Sequence, residues 1–117
     1  MSTSLVISFE VDGLHFWPNA PEQYKEFGQP HRHLFKFICW YPTMASNDPA
    51  RREKELFELR NEAFEFLYSR GFLVKKNCID FGGMSCEGIA DLILNNRELG
   101  FDKVFCGEDW FMGAIVQ

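Results

Sequence analysis

The sequence predicts a single α+β domain, residues 1–117, in which two strands precede two helices and two strands follow them. Three observations carry this. The run "LVISFEVD" (residues 5–12) alternates side chains with the two-residue period of a half-buried strand. The stretch from Pro49 to Gly71 sets apolar residues at helical spacing between a proline start and a glycine stop. The length of 117 residues, with 46% apolar residues and 13 phenylalanines, is that of one domain with an ample core.

In the first strand Leu5, Ile7, Phe9 and Val11 face one side, and Val6, Ser8, Glu10 and Asp12 the other. Continued without a bulge, the strand puts His15 on the Leu5–Val11 face. The next stretch, "WPNAPEQYKEFGQP", has three prolines and a glycine and reads as a long loop. Loops of that length in compact domains are often functional. A second strand, from about His31 to Tyr41, is apolar on both faces, and His31 and His33 share a face with Phe35, Phe37 and Cys39.

The first helix falls within "PTMASNDPARREKELFELRNEAFEFLYSRGF". Asn47 or Asp48 serves as N-cap and Pro49 suits the first turn. Leu56, Leu59, Ala63, Phe66 and Leu67 form the buried stripe, Gly71 ends it, and the charges opposite are a solvated face. Residues 73–80, "LVKKNCID", form either a short strand or an extended connection, and "FGGM" turns the chain. Ser85 caps a second helix over about Cys86 to Leu99, with Ile89, Leu92, Ile93 and Asn96 at helical spacing and Gly100 at its end. "DKVFCGEDWFMGAIVQ" reads as two short strands around a turn near Asp109. No linker, low-complexity segment or convincing repeat interrupts this order.

Composition excludes some functions. The net charge is −5 and the pI near 5.1, with no basic tract, so a broad footprint on a nucleic-acid backbone is not expected. A small nucleotide remains possible, because it needs only one or two basic groups. No run approaches the roughly 20 apolar residues of a membrane span. The first strand is interrupted by Glu10 and has no basic flank, so it is no signal peptide. Cys39, Cys78, Cys86 and Cys106 are widely spaced without a CxxC pair, which predicts reduced thiols in a cytoplasmic protein.

The candidate chemistry lies in the histidines. If the first two strands pair antiparallel, His15 at the end of one comes beside His31 and His33 at the start of the other. Catalytic zinc commonly takes three protein ligands and leaves a fourth position open. Imidazole, with an ordinary pKa of about 6.5, is neutral enough near pH 7 to ligate. The plainer alternative is that the HxH pair merely caps the strand.

The pattern resembles the 6-pyruvoyl-tetrahydropterin synthase / 6-carboxytetrahydropterin synthase family. "GLHF" with His15 and "HRH" with His31 and His33 match its zinc histidines, and "MSCEGIA" stands where its second helix opens, aligning Ser85 and Glu87. "KVFCGEDWFMGAIV" offers Glu108 for the glutamate with which the family grips the pterin's amino-pyrimidinone edge. The resemblance implies the T-fold: ββααββ, a four-stranded antiparallel sheet with two helices on one face. It also implies a homo-oligomeric barrel with ligand sites between subunits, which satisfies the sheet edges. Its implied metal is Zn2+ and its implied ligand a small pterin-, purine- or nucleotide-like heterocycle.

Two departures matter. The family's catalytic cysteine lies four residues before its HxH pair, where this chain has Phe27; a fourth histidine, for the family's proton relay, is missing. Phenylalanine neither forms a thiolate nor moves a proton.

The ligand-binding candidates are Glu108, Ser85, Cys86 and Trp17. A carboxylate accepts two parallel N–H bonds from a guanine-type edge. The amides after Ser85 receive a carbonyl or anion, unless Ser85 is a plain N-cap. Cys86 approaches from the second helix. Trp17 stacks on a heterocycle, unless it belongs to the core. Glu87 is better read as a first-turn dipole partner. Three functions follow: a metal-containing binding protein without the cysteine-dependent chemistry, a divergent zinc-dependent carbon–oxygen lyase acting on a dihydroneopterin triphosphate-type substrate, or an assembly module with structural histidines. The catalytic residues are not assigned by the sequence.

Overall fold

The alternation of β1 (Ser4–His15) continues unbroken into β2 (His31–Pro42), because the two strands pair antiparallel from Ser4 opposite Pro42 to His15 opposite His31 with no bulge. In the computed structural model, the residues described are 4–42, 48–70, 72–109 and 112–117. The remaining elements are α1 (Pro49–Ser69), β3 (Leu73–Lys75), β4 (Cys78–Asp80), α2 (Cys86–Leu94), β5 (Lys103–Glu108) and β6 (Met112–Val116). The segment expected to be a loop holds a 3-10 helix, Glu22–Gly28, kinked at Tyr24.

The fold is α+β, but the sheet departs from the expected four antiparallel strands. It has six, in the order β3-β4-β1-β2-β5-β6, and is mixed because β4 runs parallel to β1. The two added strands come from "LVKKNCID". Lys76 and Asn77, with φ of 52° and 61°, make a two-residue hairpin whose left-handed turn matches the twist of the strands. Strands of three residues are too short to show alternation, so the pattern could not reveal them.

One face of the sheet carries the core. Ile7, Phe9 and Val11 lie opposite Cys39, Phe37 and Phe35, and Val104 and Cys106 continue that face on β5. All are buried, and Leu59, Ala63 and Leu67 of α1 and Ile89, Ala90 and Ile93 of α2 join them in one cluster. Leu56 and Phe66 pack at its edge. Asp48 caps α1 by accepting a bond from the Ala50 N–H at 3.1 Å. The alternative cap Asn47 and the stop Gly71 lie outside the described residues.

Helix α2 ends at Leu94, earlier than the expected Leu99. Asn96 accounts for the difference. Its side chain accepts from the Glu98 N–H at 3.0 Å, and its carbonyl accepts from Leu99 and Gly100. Such local bonds offer the backbone an alternative to the helix. Gly100, at φ 75°, closes this turn. Among the described residues no helix is long and apolar enough to cross a membrane.

Candidate metal centre and ligand pocket

Strand register assembles the site. His15 faces His31 across the β1–β2 ladder, and Phe35 faces Glu108 across β2–β5. With their two-residue spacing, His15, His31, His33 and Glu108 therefore share the core face, at the end of the sheet beyond the buried aromatics. The three imidazole rings form a near-equilateral group, with centroids 4.6, 4.9 and 5.2 Å apart and planes at 67–86°. One ring nitrogen from each lies within 4.8 Å of the others, so the three can hold a metal ion.

Each ring is oriented from behind through Nδ1. His15 Nδ1 is 3.0 Å from the Met84 carbonyl, His31 Nδ1 is 2.9 Å from the Gln29 carbonyl, and His33 Nδ1 is hydrogen-bonded to Asp109 Oδ2. Carbonyls and carboxylates only accept, so in the neutral rings Nδ1 carries the proton and Nε2 keeps its lone pair. This is the arrangement by which metal-binding histidines are held. His15 is buried, and its Nε2 has no hydrogen-bond partner among the described residues. A buried, unsatisfied donor atom within a three-imidazole set fits zinc.

Glu108 sits beside the triad, Oε1 3.1 Å from His15 Nε2 and Oε2 3.5 Å from His33 Nε2. The 3.1 Å approach of Glu108 couples it to His15. Next to Glu108, His15 is held above the ordinary histidine pKa despite burial, and the His15 contact holds Glu108 below the usual carboxylate range. Asp109 is lowered chiefly by its bond to His33.

A cavity of about 690 Å³ opens on this group. Glu108 and the three histidines form its polar part, and Ser85 lies on its wall. The segment after β1 supplies an aromatic side: Trp17 stacks on Tyr24 at 5.7 Å, and Phe27 meets the His31 ring at 6.0 Å. Trp17 is exposed at this wall, outside the core. Ser85 also caps α2, accepting from the Gly88 N–H at 3.2 Å, so the bland role and the wall position coexist. Cys86 does not line the cavity; it is buried and its thiol lies 3.6 Å from Glu108 Oε1. Arg32 points away from the triad and pairs with Asp12 at 3.1 Å.

Sequence reasoning missed Asp109, Tyr24, Phe27 as a wall residue, and Met112 at the rim. Asp109 looked like ordinary turn composition. Its signal was its place directly after Glu108, where β5 ends facing the histidine strand.

No protein-family model matches this chain, and no curated protein does. Among solved structures, one described as a structural analysis of Plasmodium falciparum 6-pyruvoyl tetrahydropterin synthase aligns over 99% of this chain and 98% of that one. Its TM-score is 0.47 and its identity 15%. A likeness at that level carries no argument about chemistry, so the site stands on its own geometry.

Proposed function

We propose that this chain is a zinc-binding T-fold protein that holds one flat pterin-, purine- or nucleotide-like heterocycle in the cavity beside the triad. It does so at a subunit interface of a homo-oligomer and without cysteine-dependent chemistry. One observation carries the reading: three imidazoles with their Nδ1 atoms engaged and their Nε2 atoms convergent share a single cavity with a carboxylate and an aromatic wall. His15, His31 and His33 would hold the ion, whose Lewis acidity polarises an oxygen substituent of a bound ring. Glu108 accepts the paired N–H donors of a guanine-type edge, and Trp17 and Tyr24 exclude water and stack. Ser85 and the first amides of α2 receive a carbonyl on the far side. The four cysteines are free, which suits a cytoplasmic protein.

The test is metal analysis of the purified protein, then titration of pterin and guanine into the wild type and Glu108→Gln. Stoichiometric zinc, and binding weakened more than a few-fold by Glu108→Gln, are expected. A metal-free protein, or an unchanged dissociation constant, sinks the corresponding half.

A second reading, a divergent zinc lyase of the 6-carboxytetrahydropterin synthase type, is favoured by one observation: the three imidazoles that could hold the ion line the cavity beside Glu108. Incubation with dihydroneopterin triphosphate and product analysis decides between them. Product from the zinc-loaded wild type that survives replacement of every cysteine supports the lyase; no product supports the binding protein.

A further inference from the structure

We infer that Asp109 is the residue that positions His33 for metal binding, by fixing which ring nitrogen carries the proton; the inference rests on the metal reading above. Strand β5 ends at Glu108, and the next residue leaves the sheet in the left-handed conformation, with φ 50°. In an ordinary antiparallel rung the two residues exchange both backbone bonds. Here the Asp109 N–H still donates to the Leu34 carbonyl at 2.9 Å. The Leu34 N–H, however, donates to Asp109 Oδ1 at 2.8 Å instead of to a backbone oxygen. The side chain therefore completes the rung that the turn has broken. Held there, its second oxygen meets His33 Nδ1, one residue back along β2.

A carboxylate at that position accepts only, so it selects the ring form with N–H at Nδ1 and a lone pair at Nε2. An amide offers its N–H₂ to the same nitrogen once its oxygen is taken by Leu34. That selects the opposite form, with a proton where a metal would bind. Asn, like Asp, tolerates the left-handed backbone better than most residues. Asp109→Asn therefore changes the proton position while leaving the turn and the Leu34 bond in place.

Two measurements test this on the full chain. Long-range ¹⁵N–¹H spectra of histidine-labelled protein in EDTA at about pH 8.5, where unperturbed imidazoles are neutral, read the His33 tautomer directly. Nδ1–H is expected in the wild type and Nε2–H in Asp109→Asn. Zinc competition against a chelator should show a loss of affinity of about 10–100-fold, the range for removing an orienting partner. Asp109→Gly, which accepts the positive φ and removes the side chain, should lose affinity as well and serves if the Asn variant folds poorly. Unchanged zinc affinity in a folded variant, or an unchanged tautomer in Asp109→Asn, overturns the inference while the metal reading stands. A wild type that binds no zinc overturns the metal reading itself, and the inference with it.

Discussion

Gly13 is the residue on which the fold and the site press together, and its replacement by alanine is the sharpest test of the packing argument. It lies two residues before His15 on β1, opposite His33. A Cβ there would stand 2.7 Å from Phe81 Cε2 and 2.8 Å from two Phe35 ring carbons. Carbon atoms rest at about 3.5–4.0 Å, so each ring must withdraw by ~0.7 Å or more. Neither has room: Phe35 is 0% exposed and Phe81 2%. Phe35 is also wedged edge-on against Phe81 at 5.1 Å, His15 at 5.2 Å and His33 at 5.9 Å. Overpacking a dense core costs about 1–3 kcal/mol, and two blocked rings point to the upper half of that range. Alanine returns roughly 0.4–1 kcal/mol by restricting the unfolded chain. The net expectation is a loss of about 1–2 kcal/mol. It is to be measured by urea denaturation in EDTA, with weaker zinc binding as the strain reaches both histidines. Gly88→Ala is the control. Its Cβ would meet Met84 Cε at an ordinary 3.5 Å inside α2, so it should stabilise by about 0.5–1 kcal/mol. A Gly13→Ala protein as stable as the wild type, with unchanged metal affinity, would refute the close-approach argument.

His31→Ala should abolish stoichiometric zinc, and full occupancy after dialysis against a chelator would end the triad assignment. In EDTA the His15–Glu108 pair should make stability depend on pH. A raised histidine pKa stabilises below its unfolded value and that gain is lost as pH rises through the folded one; a lowered carboxylate pKa stabilises above its unfolded value and that gain is lost as pH falls through the folded one. The stability lost in Glu108→Gln should therefore be largest at about pH 5–6 and shrink above about pH 7; a flat difference up to pH 9 would contradict the coupling. Burial pushes the Cys39 thiol up to about 12, so it should resist disulfide reagents at pH 8 while the fold holds. Rapid labelling of Cys39 in folded protein would count against the buried core.

The sequence made legible what long periodic elements control. β1 shows twelve residues of uninterrupted alternation, and alternation alone carried His15 to the correct face once the strand met no bulge. The HxH pair needed only the two-residue period of β2. The β3–β4 hairpin was illegible because strands of three residues have no period to read, and its turn begins with Lys76, a residue rarely found at positive φ. The end of α2 was misplaced because Ile93, Asn96 and Gly100 keep helical spacing while Asn96 turns the backbone away with its own side chain. Asp109 was hidden for a different reason. Its bond reaches a residue seventy-five positions away, so only its place directly after Glu108, across from the histidine strand, pointed to it.

Glu108 lies where the proposed metal triad and the cavity meet. Both carboxylate oxygens face histidine nitrogens, Oε1 at 3.1 Å from His15 Nε2 and Oε2 at 3.5 Å from His33 Nε2, with the Cys86 thiol also on Oε1. Two carboxylate oxygens offer about four acceptor sites, so these contacts leave capacity for two parallel bonds to a heterocycle edge. On the metal reading proposed above, histidine nitrogens engaged as ligands would no longer compete for those oxygens. Phe27, packed against His31 at the cavity wall, supplies an apolar surface beside the triad and neither a thiolate nor a proton carrier.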